Sequence, residues 1–191
     1  MDFPALILLA LLLVLVFYTI FIYNNLVSLK HGISKAWSNI DVLLKQRHDE
    51  LPKLVEVCKQ YMQYEQETLE KVVQARAAVM QARSGGNIKE LGQAESQLRL
   101  GLGNLFALAE NYPDLKANNS YQQLQGRISQ LENGIADRRE VYNEAVNLNN
   151  VRIEQFPDVV VARLFNFRDF GLLEFNEEEK RDVNMQALFN R

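Results

Sequence analysis

An uncharged run near the N terminus constrains this chain more than any other feature. Residues 3–22 read FPALILLALLLVLVFYTIFI and contain no charged side chain. About 20 consecutive apolar residues are what an α-helix needs to cross the hydrocarbon core of a bilayer. The run therefore predicts a membrane anchor over residues 1–23. The residues assigned to this span are Phe3, Pro4, Leu8, Leu12, Val16, Tyr18, Ile22 and Tyr23.

A cleaved signal peptide is the alternative interpretation of this run. Signal peptides carry a basic segment before a shorter apolar stretch, and small residues at a cleavage site after it. Here only Met1 and Asp2 come before the run, and no small-residue site follows it. We therefore expect an uncleaved anchor. Because Lys30 and Lys35 follow the run, the positive-inside rule predicts that the rest of the chain lies in the cytoplasm.

Apolar residues continue at helical spacing directly after the run. Alternating steps of three and four residues separate them, which places them on one face of a helix. The residues of this first stripe are Leu26, Leu29, Ile33, Ala36, Ile40 and Leu43. The pattern predicts that the membrane helix continues without a break into the folded part of the chain, with a heptad face that is typical of coiled coils.

Three further apolar stripes predict three more helices. The second begins after Pro52 and ends at the turn sequence SGGN, the third ends at Tyr112 and Pro113, and the fourth ends at Phe156 and Pro157. Their members are Leu54, Val57, Tyr61, Tyr64, Thr68, Val72, Ala75 and Val79; then Ile88, Leu91, Leu98, Leu102, Leu105 and Ala109; then Tyr121, Leu124, Ile128, Leu131, Ile135, Arg138, Tyr142, Ala145 and Asn149. Four amphipathic helices with short connections predict an all-α fold, a long antiparallel four-helix bundle over residues 24–156.

The triplet His48-Asp49-Glu50 allows two interpretations, a metal or acid–base site and a corner between helices. Adjacent residues do not face one another on a helix, and the other histidine, His31, lies too far along the chain to share the site. Asp49 can instead cap a helix that tolerates Pro52 in its first turn. We therefore predict corners between helices. The corner residues are Asp49 and Pro52, then Tyr112, Pro113 and Leu115.

No other pattern of side chains points to catalysis. The single cysteine, Cys58, has no histidine nearby to activate it. The acidic residues Glu65, Glu67 and Glu70 lack the Glu-x-x-His pairs of di-iron bundles. We therefore predict no catalytic, cofactor or metal site and no enzymatic activity, and the net charge of −3 gives no reason to expect nucleic acid. We expect ion pairs between helices that join Asp41 or Glu132 to Arg76, Arg138 or Arg139.

The tail, residues 157–191, begins with more apolar side chains than a free segment exposes. Three interpretations are open: a segment that lies on the bilayer surface, a strap packed on the bundle, and a contact with another subunit. The predicted contact residues are Val160, Leu164, Phe165, Phe167, Phe170 and Leu173. Further along, a small docking motif is indicated by Val183, Met185, Leu188 and Phe189.

Six segments together resemble the LemA family and cover roughly residues 23–170. They are YNNLVSLK, AWSNIDVLLKQRHDELPKLVE, YEQETLEKVVQAR, LAENYPDLKANNSY, LENGIADRREVYNEAV and QFPDVVVARLFNF. The resemblance implies an N-terminal anchor in a bacterial inner membrane, an antiparallel helical bundle and no established enzymatic activity. A related domain occurs in magnetosome membrane proteins, and LemA genes often neighbour genes for a membrane metalloprotease.

The residues and the resemblance together lead to one expected function and one alternative. We expect a non-enzymatic, membrane-anchored helical scaffold that self-associates at the bilayer and organises membrane or envelope proteins. Its expected partners are the lipid bilayer and further copies of the same chain. The alternative is an adaptor, or a substrate-presenting partner, of a membrane protease.

Overall fold

The computed structural model describes residues 3–174, and within that part of the chain all regular structure is helical. The helices are α1 (Phe3–Tyr61), α2 (Gln66–Gly85), α3 (Ile88–Ala109), α4 (Pro113–Lys116), α5 (Asn119–Glu154) and α6 (Asp158–Leu164). The prediction of an all-α fold is confirmed, and so is a first helix that continues from the apolar run into the folded part. The docking motif predicted at residues 183–189 lies outside the described residues.

The corner predicted at Asp49 and Pro52 is wrong, because α1 continues through both residues and ends at Tyr61. A proline inside a helix costs about 3 kcal/mol. Burial of a single leucine side chain contributes about 1.5–3 kcal/mol, and Leu51 and Leu54 on either side of the proline are 1% and 0% exposed. The ring of Pro52 lies on the exposed side of the helix. Packing of the opposite face therefore outweighs the local preference to end the helix.

The connection between the first and second helices lies instead at residues 62–65. Met62 is fully buried there, and its backbone N–H donates to the carbonyl oxygen of Cys58. Tyr64, which the second stripe placed on a buried face, is 95% exposed. That part of the stripe is therefore wrong, since residues 62–65 are not helical and the helical spacing does not apply to them.

The chain forms two compact units. The first contains residues 3–39 of α1, residues 140–154 of α5, α6 and the segment up to residue 172. Its apolar core joins α1 to α6, and the half-buried side chains of Leu29, Ile153 and Phe167 pack against that core. The fully buried members of the core are Ile22, Leu26, Val161 and Ala162.

The second unit contains residues 40–61 of α1, then α2, α3, α4 and residues 119–139 of α5, together with residues 173–174. Most members of the predicted stripes in this unit are buried, although Arg138 on α5 is exposed. The buried apolar residues are Ile40, Leu44, Leu51, Leu54, Val55, Cys58, Met62, Leu69, Val72, Ala75, Val79, Ala82, Leu91, Ala94, Leu98, Leu102, Leu105, Ala109, Leu115, Tyr121, Ile128, Leu131, Ile135 and Leu173.

Helices α2, α3 and α4 end or begin at residues whose local preferences favour a helix end. Gly86 follows α2 in the left-handed conformation, with a φ of 67°, which a residue with a Cβ rarely adopts. The side chain of Asn87 then caps α3 by accepting from the backbone N–H groups of Lys89 and Glu90. Pro113 is the first residue of α4, and Leu115 on that short helix is fully buried.

Gly92 on α3 allows the backbone of the tail to come unusually close. A Cβ placed on this glycine would overlap the backbone carbonyl group of Glu174. The adjacent side chain of Leu173 is 1% exposed. Residues 173–174 therefore pack on α3 because that position carries no side chain.

We expect Gly92→Ala to release residues 173–174 from α3, since the added methyl group and a backbone carbonyl cannot occupy the same space. The measurement is hydrogen exchange of the amides around Leu173, which should lose protection. Gly103→Ala is the matched control: it changes another glycine of the same helix with open space around it. The control should raise the free energy of unfolding by up to about 1 kcal/mol. Unchanged protection in the Gly92 variant would contradict this packing.

Candidate membrane-proximal site

The N-terminal part of α1 has the composition and the exposure of a membrane span. It is the one helix in residues 3–174 that is long and apolar enough to cross a bilayer, with a mean hydropathy of 3.1 in its most apolar window. Only 6% of that window is buried inside the protein. A core helix of a soluble domain would be mostly buried. These side chains therefore need an apolar environment that residues 3–174 do not supply.

Helix α6 packs against α1 at the place where the apolar run ends. Val161 and Ala162 of α6 share a buried core with Ile22 and Leu26 of α1. The ring of Tyr23 lies beside two rings that follow α6, with centroid distances of 4.7 Å to Phe165 and 5.8 Å to Phe167. Position 23 is the expected level of the bilayer surface, where aromatic rings are favoured. The chain thus folds back to that level after leaving α5.

Polar contacts from α5 fix the segment on both sides of α6. Asp158, at the start of α6, forms an ion pair with Arg152 and is almost fully buried. The side-chain oxygen of Asn150 accepts a hydrogen bond from the backbone N–H of Phe170 at 3.0 Å. The side-chain nitrogen of Asn150 donates to the carbonyl oxygen of Phe170 at 2.9 Å. The hydroxyl group of Tyr142 donates to the carbonyl oxygen of Gly171 at 3.1 Å. Residues 158–171 are therefore held on the first unit.

The first unit carries an exposed apolar cluster around α6, which we call the collar. Its members are Phe156, Val160, Leu164 and Phe165, with exposed fractions of 84%, 59%, 74% and 50%. Burying one such side chain contributes about 1.5–3 kcal/mol, so an exposed group of four indicates a surface that contacts lipid or protein. The collar and the exposed apolar part of α1 both belong to the first unit.

The structure separates the contact residues predicted in the tail. Val160, Leu164 and Phe165 are exposed on the collar, whereas Phe167 and Phe170 are half-buried. Leu173 is buried in the second unit and lies inside the fold. Phe156 belongs to the collar but was not predicted, because it was assigned to the end of the fourth helix. Its signal was the following Pro157, which turns the chain before α6.

A buried ion cluster in the second unit was not predicted. Arg47 of α1 is 1% exposed and forms two bonds of 2.6 and 2.8 Å to the carboxylate of Glu95 on α3. Its other terminal nitrogen donates to Glu132 of α5 at 2.7 Å. Burial raises the pKa of Glu95, and the charge and hydrogen bonds of Arg47 oppose that rise. The cluster connects three helices, and its single guanidinium group binds two carboxylates.

The expected ion pairs of Asp41 and Glu132 had the wrong partners. Glu132 pairs with Arg47, and Asp41 pairs with Arg83 through bonds of 2.5 and 2.8 Å. Arg76 donates instead to the backbone carbonyl oxygen of His48. Arg47 and Arg83 were not among the arginines that the sequence suggested as partners of these carboxylates. The spacing of its neighbours places Arg47 on the buried face of α1, between Leu44 and Leu51.

The triplet at residues 48–50 is not assembled into a reactive site. The ring of His48 lies 2.7 Å from the guanidinium of Arg76, and burial together with this cation lowers the pKa of the histidine. Asp49 is exposed, and Glu50 pairs with Lys53 at 3.1 Å. Within residues 3–174, the structure brings no three His, Cys, Asp or Glu side chains together as metal ligands. Cys58 is buried, and burial raises the pKa of its thiol to about 11.

Sequence comparisons connect this fold to known proteins. The profile of the LemA family matches residues 36–186. The protein LemA of Metamycoplasma hominis is 29% identical over 179 residues, which cover 92% of this chain and 80% of that protein. The magnetosome protein MamQ 2 of Paramagnetospirillum magneticum is 24% identical over 169 residues. The magnetosome protein MamQ of Magnetospirillum gryphiswaldense is 22% identical over the same length. This chain spans 62% of the length of each of these two magnetosome proteins.

Proposed function

This chain belongs to the LemA family, and from that premise we propose that it is a single-pass, membrane-anchored helical scaffold. In this proposal residues 3–22 cross the bilayer, the collar lies on the bilayer surface, and copies of the chain associate side by side. The scaffold acts by contact and not by catalysis. The magnetosome relatives support a role in organising a membrane.

The observation that carries the proposal is the position of the collar. Helix α6 packs on Ile22 and Leu26, directly after the exposed apolar run. Phe165 lies beside Tyr23, and both Phe165 and its neighbour Leu164 are exposed, so in this proposal the bilayer that covers the run also covers these two side chains. In this proposal the bilayer therefore covers both the apolar run and the collar, two exposed apolar surfaces that are far apart in sequence.

The expected orientation places the collar on the cytoplasmic surface of a bacterial inner membrane. Lys30 and Lys35 follow the span and are exposed, as the positive-inside rule requires of a cytoplasmic flank. The anchor at residues 1–23 and the tail from residue 157 remain predictions. Reporter fusions at the two ends of the described chain, one active only outside the inner membrane and one active only inside, test this orientation.

Self-association is supported by a second exposed stripe on α5. Val141, Leu148 and Val151 lie in the first unit with exposed fractions of 47%, 55% and 42%. The steps of seven and three residues place them near one another on the outer side of the helix. Exposed helices that carry apolar residues at such a spacing often pack against the same helix of a second copy of the chain.

We expect the protein to form oligomers in mild detergent, and Leu148→Lys to shift them toward the monomer. A lysine at this position places a charge on the apolar stripe. The measurement is the particle mass by mass photometry, compared with the chain mass of 22.0 kDa. Asn147→Lys is the matched control, because it adds the same charge at the neighbouring exposed position and should leave the oligomer unchanged. A wild-type monomer at every concentration would refute self-association.

The adaptor for a membrane protease is the alternative function, and crosslinking in cells separates it from the scaffold. The scaffold predicts that the dominant crosslinked products are multiples of this chain. The adaptor predicts a protease as the dominant product, and loss of that product when residues 176–191 are deleted. A protease product without any self-crosslinked product would overturn the scaffold.

A further inference from the structure

A groove of about 350 Å³ lies beside the collar in the first unit. Its floor is apolar and is formed by Ile153 of α5, by Val159 and Ala162 of α6 and by Phe167. Ala162 is part of the core that packs on Ile22 and Leu26, and Ile153 and Phe167 pack against that core. The groove therefore lies at the level where the apolar run of α1 ends. If that run crosses a bilayer, the groove opens at the depth of lipid headgroups.

The rim of the groove carries two cations. Arg163 and Arg168 both line it and both side chains are exposed. Neither guanidinium group has an ion pair or hydrogen bond to any other residue of the described range 3–174. The guanidinium fork matches the oxygen atoms of a phosphate group and binds them with charge-assisted hydrogen bonds. The rim thus presents donors for a phosphate group at the depth where lipid phosphates lie.

The same rim also carries two carboxylates. Glu154 and Asp169 line the groove and are exposed. With two cations and two anions the rim has no net charge, so it offers no general attraction to an anionic lipid surface. Carboxylates accept hydrogen bonds from a primary ammonium group, whereas a quaternary ammonium group has no N–H to donate. The rim is therefore complementary to a headgroup that contains both a phosphate and a primary ammonium group.

We propose that this groove binds the headgroup of a phosphatidylethanolamine-type phospholipid. Arg163 and Arg168 bind the phosphate group, and Glu154 and Asp169 accept from the ammonium group. The apolar floor contacts the beginning of the acyl chains. This inference rests on the proposed function, because a lipid reaches the groove only if the anchor lies in a bilayer.

The test measures lipid retained by the full-length protein in mild detergent, by native mass spectrometry. Three lipids with the same acyl chains are offered: phosphatidylethanolamine, phosphatidylcholine and phosphatidylglycerol. We expect phosphatidylethanolamine to be retained about tenfold better than either of the others, the effect of a few charge-assisted hydrogen bonds. Equal retention of the ethanolamine and choline lipids would overturn the proposal, and so would preferred retention of phosphatidylglycerol.

Two variants assign the effect to the rim. The double variant Arg163→Gln with Arg168→Gln should lose the retained phosphatidylethanolamine, whereas Arg138→Gln, an exposed arginine of the second unit, should retain it like the wild type. Glu154→Gln should reduce the preference for the ethanolamine lipid over the choline lipid. Wild-type retention by the double arginine variant would overturn the proposal. Circular dichroism confirms that each variant is folded.

Vesicle flotation separates failure of this inference from failure of the proposed function. If the wild type floats with vesicles of either phosphatidylethanolamine or phosphatidylcholine but retains neither lipid selectively, the anchor is supported and the groove assignment is wrong. If the wild type floats with neither kind of vesicle, the membrane-anchored function is wrong, and this inference fails with it.

Discussion

Arg47→Ala is expected to lower the free energy of unfolding by about 3–5 kcal/mol, the usual cost of removing one partner from a buried ion pair. Arg47 and Glu95 are 1% and 2% exposed, so the remaining carboxylate would stay buried without its cation. The bonds to Glu95 and Glu132 connect α1 to α3 and α5. Thermal unfolding of the full chain in mild detergent, followed by circular dichroism, measures the effect.

Arg83→Ala is the matched control for this substitution. Arg83 also pairs with a carboxylate on another helix, at 2.5 Å from Asp41, but the two side chains are 20% and 36% exposed. Partly exposed ion pairs contribute at most about 1 kcal/mol, because water screens the charges in both states. If the two arginine variants lose the same free energy of unfolding, burial does not determine how much the Arg47 ion pairs contribute to stability.

The acidity of the medium should modify the Arg47→Ala result. Burial already raises the pKa of Glu95 above its ordinary value of 4.5, and Arg47 opposes that rise. Without Arg47 the pKa rises further. A carboxyl group whose pKa is raised by folding favours the folded state when it is protonated. This favourable contribution is present below the unfolded pKa and is lost as the pH rises through the folded pKa.

Arg47→Ala should therefore regain stability as the pH is lowered toward the ordinary pKa of a glutamate. The midpoint of thermal unfolding at several pH values measures this recovery. In the double variant with Glu95→Gln the recovery should be much smaller, since the buried group no longer titrates. A pH dependence that is the same in both variants would assign the effect to other carboxylates.

Placing arginine at both Leu8 and Leu12 is expected to abolish stable membrane integration. Each arginine near the centre of a membrane helix costs about 2.5–3.5 kcal/mol, so the two together cost about 5–7 kcal/mol. Both leucines are exposed in the protein, at 69% and 53%, so no packing within the chain offsets or adds to this cost. The measurement is the fraction of protein that remains in membranes after washing with alkaline carbonate.

The matched control replaces the same two leucines with alanine. Alanine favours a helical backbone, and the two substitutions remove only part of the apolar surface of α1. The control should remain in the membrane fraction, while the arginine variant should appear in the soluble or aggregated fraction. Full retention of the arginine variant in washed membranes would contradict a span through residues 3–22.

Most of the helices could be predicted from the sequence, because the spacing of apolar residues indicates which face of each helix is buried. The stripes on α3 and α5 contain most of the apolar side chains that are buried there, including Leu98, Leu102, Ile128 and Ile135. The end of α1 could not be obtained in this way. Pro52 favours a helix end locally, and the packing of Leu51 and Leu54 that overrides this preference is a property of the whole fold.

The candidate sites were harder to predict for a physical reason. An arginine is normally solvent-exposed, and the burial of Arg47 was not predicted although its spacing from Leu44 and Leu51 matches the buried face. Three of the four collar residues were recognised as an apolar group, but three interpretations of the tail fitted the pattern. The contacts of Val161 and Ala162 with Ile22 and Leu26 place that segment at the end of the apolar run of α1.

The depth of the collar in a bilayer can be measured directly with tryptophan fluorescence. The chain has one tryptophan, Trp37, which lies in the first unit beside Tyr142, with a ring-centroid distance of 5.7 Å. Along α1, Trp37 is about 20 Å from Tyr23 at 1.5 Å per residue, so it should lie beyond the bilayer surface. A second protein, with Trp37→Phe and Phe165→Trp, places the only tryptophan on the collar.

Both proteins are reconstituted in vesicles whose lipids carry bromine atoms near the headgroup end of the acyl chains. Bromine quenches tryptophan fluorescence only at short distance. If the collar lies on the bilayer surface, the tryptophan at position 165 should be quenched strongly and Trp37 should be quenched little. Equal, weak quenching of both would show that the collar does not contact lipid and that the chain does not fold back onto the membrane surface.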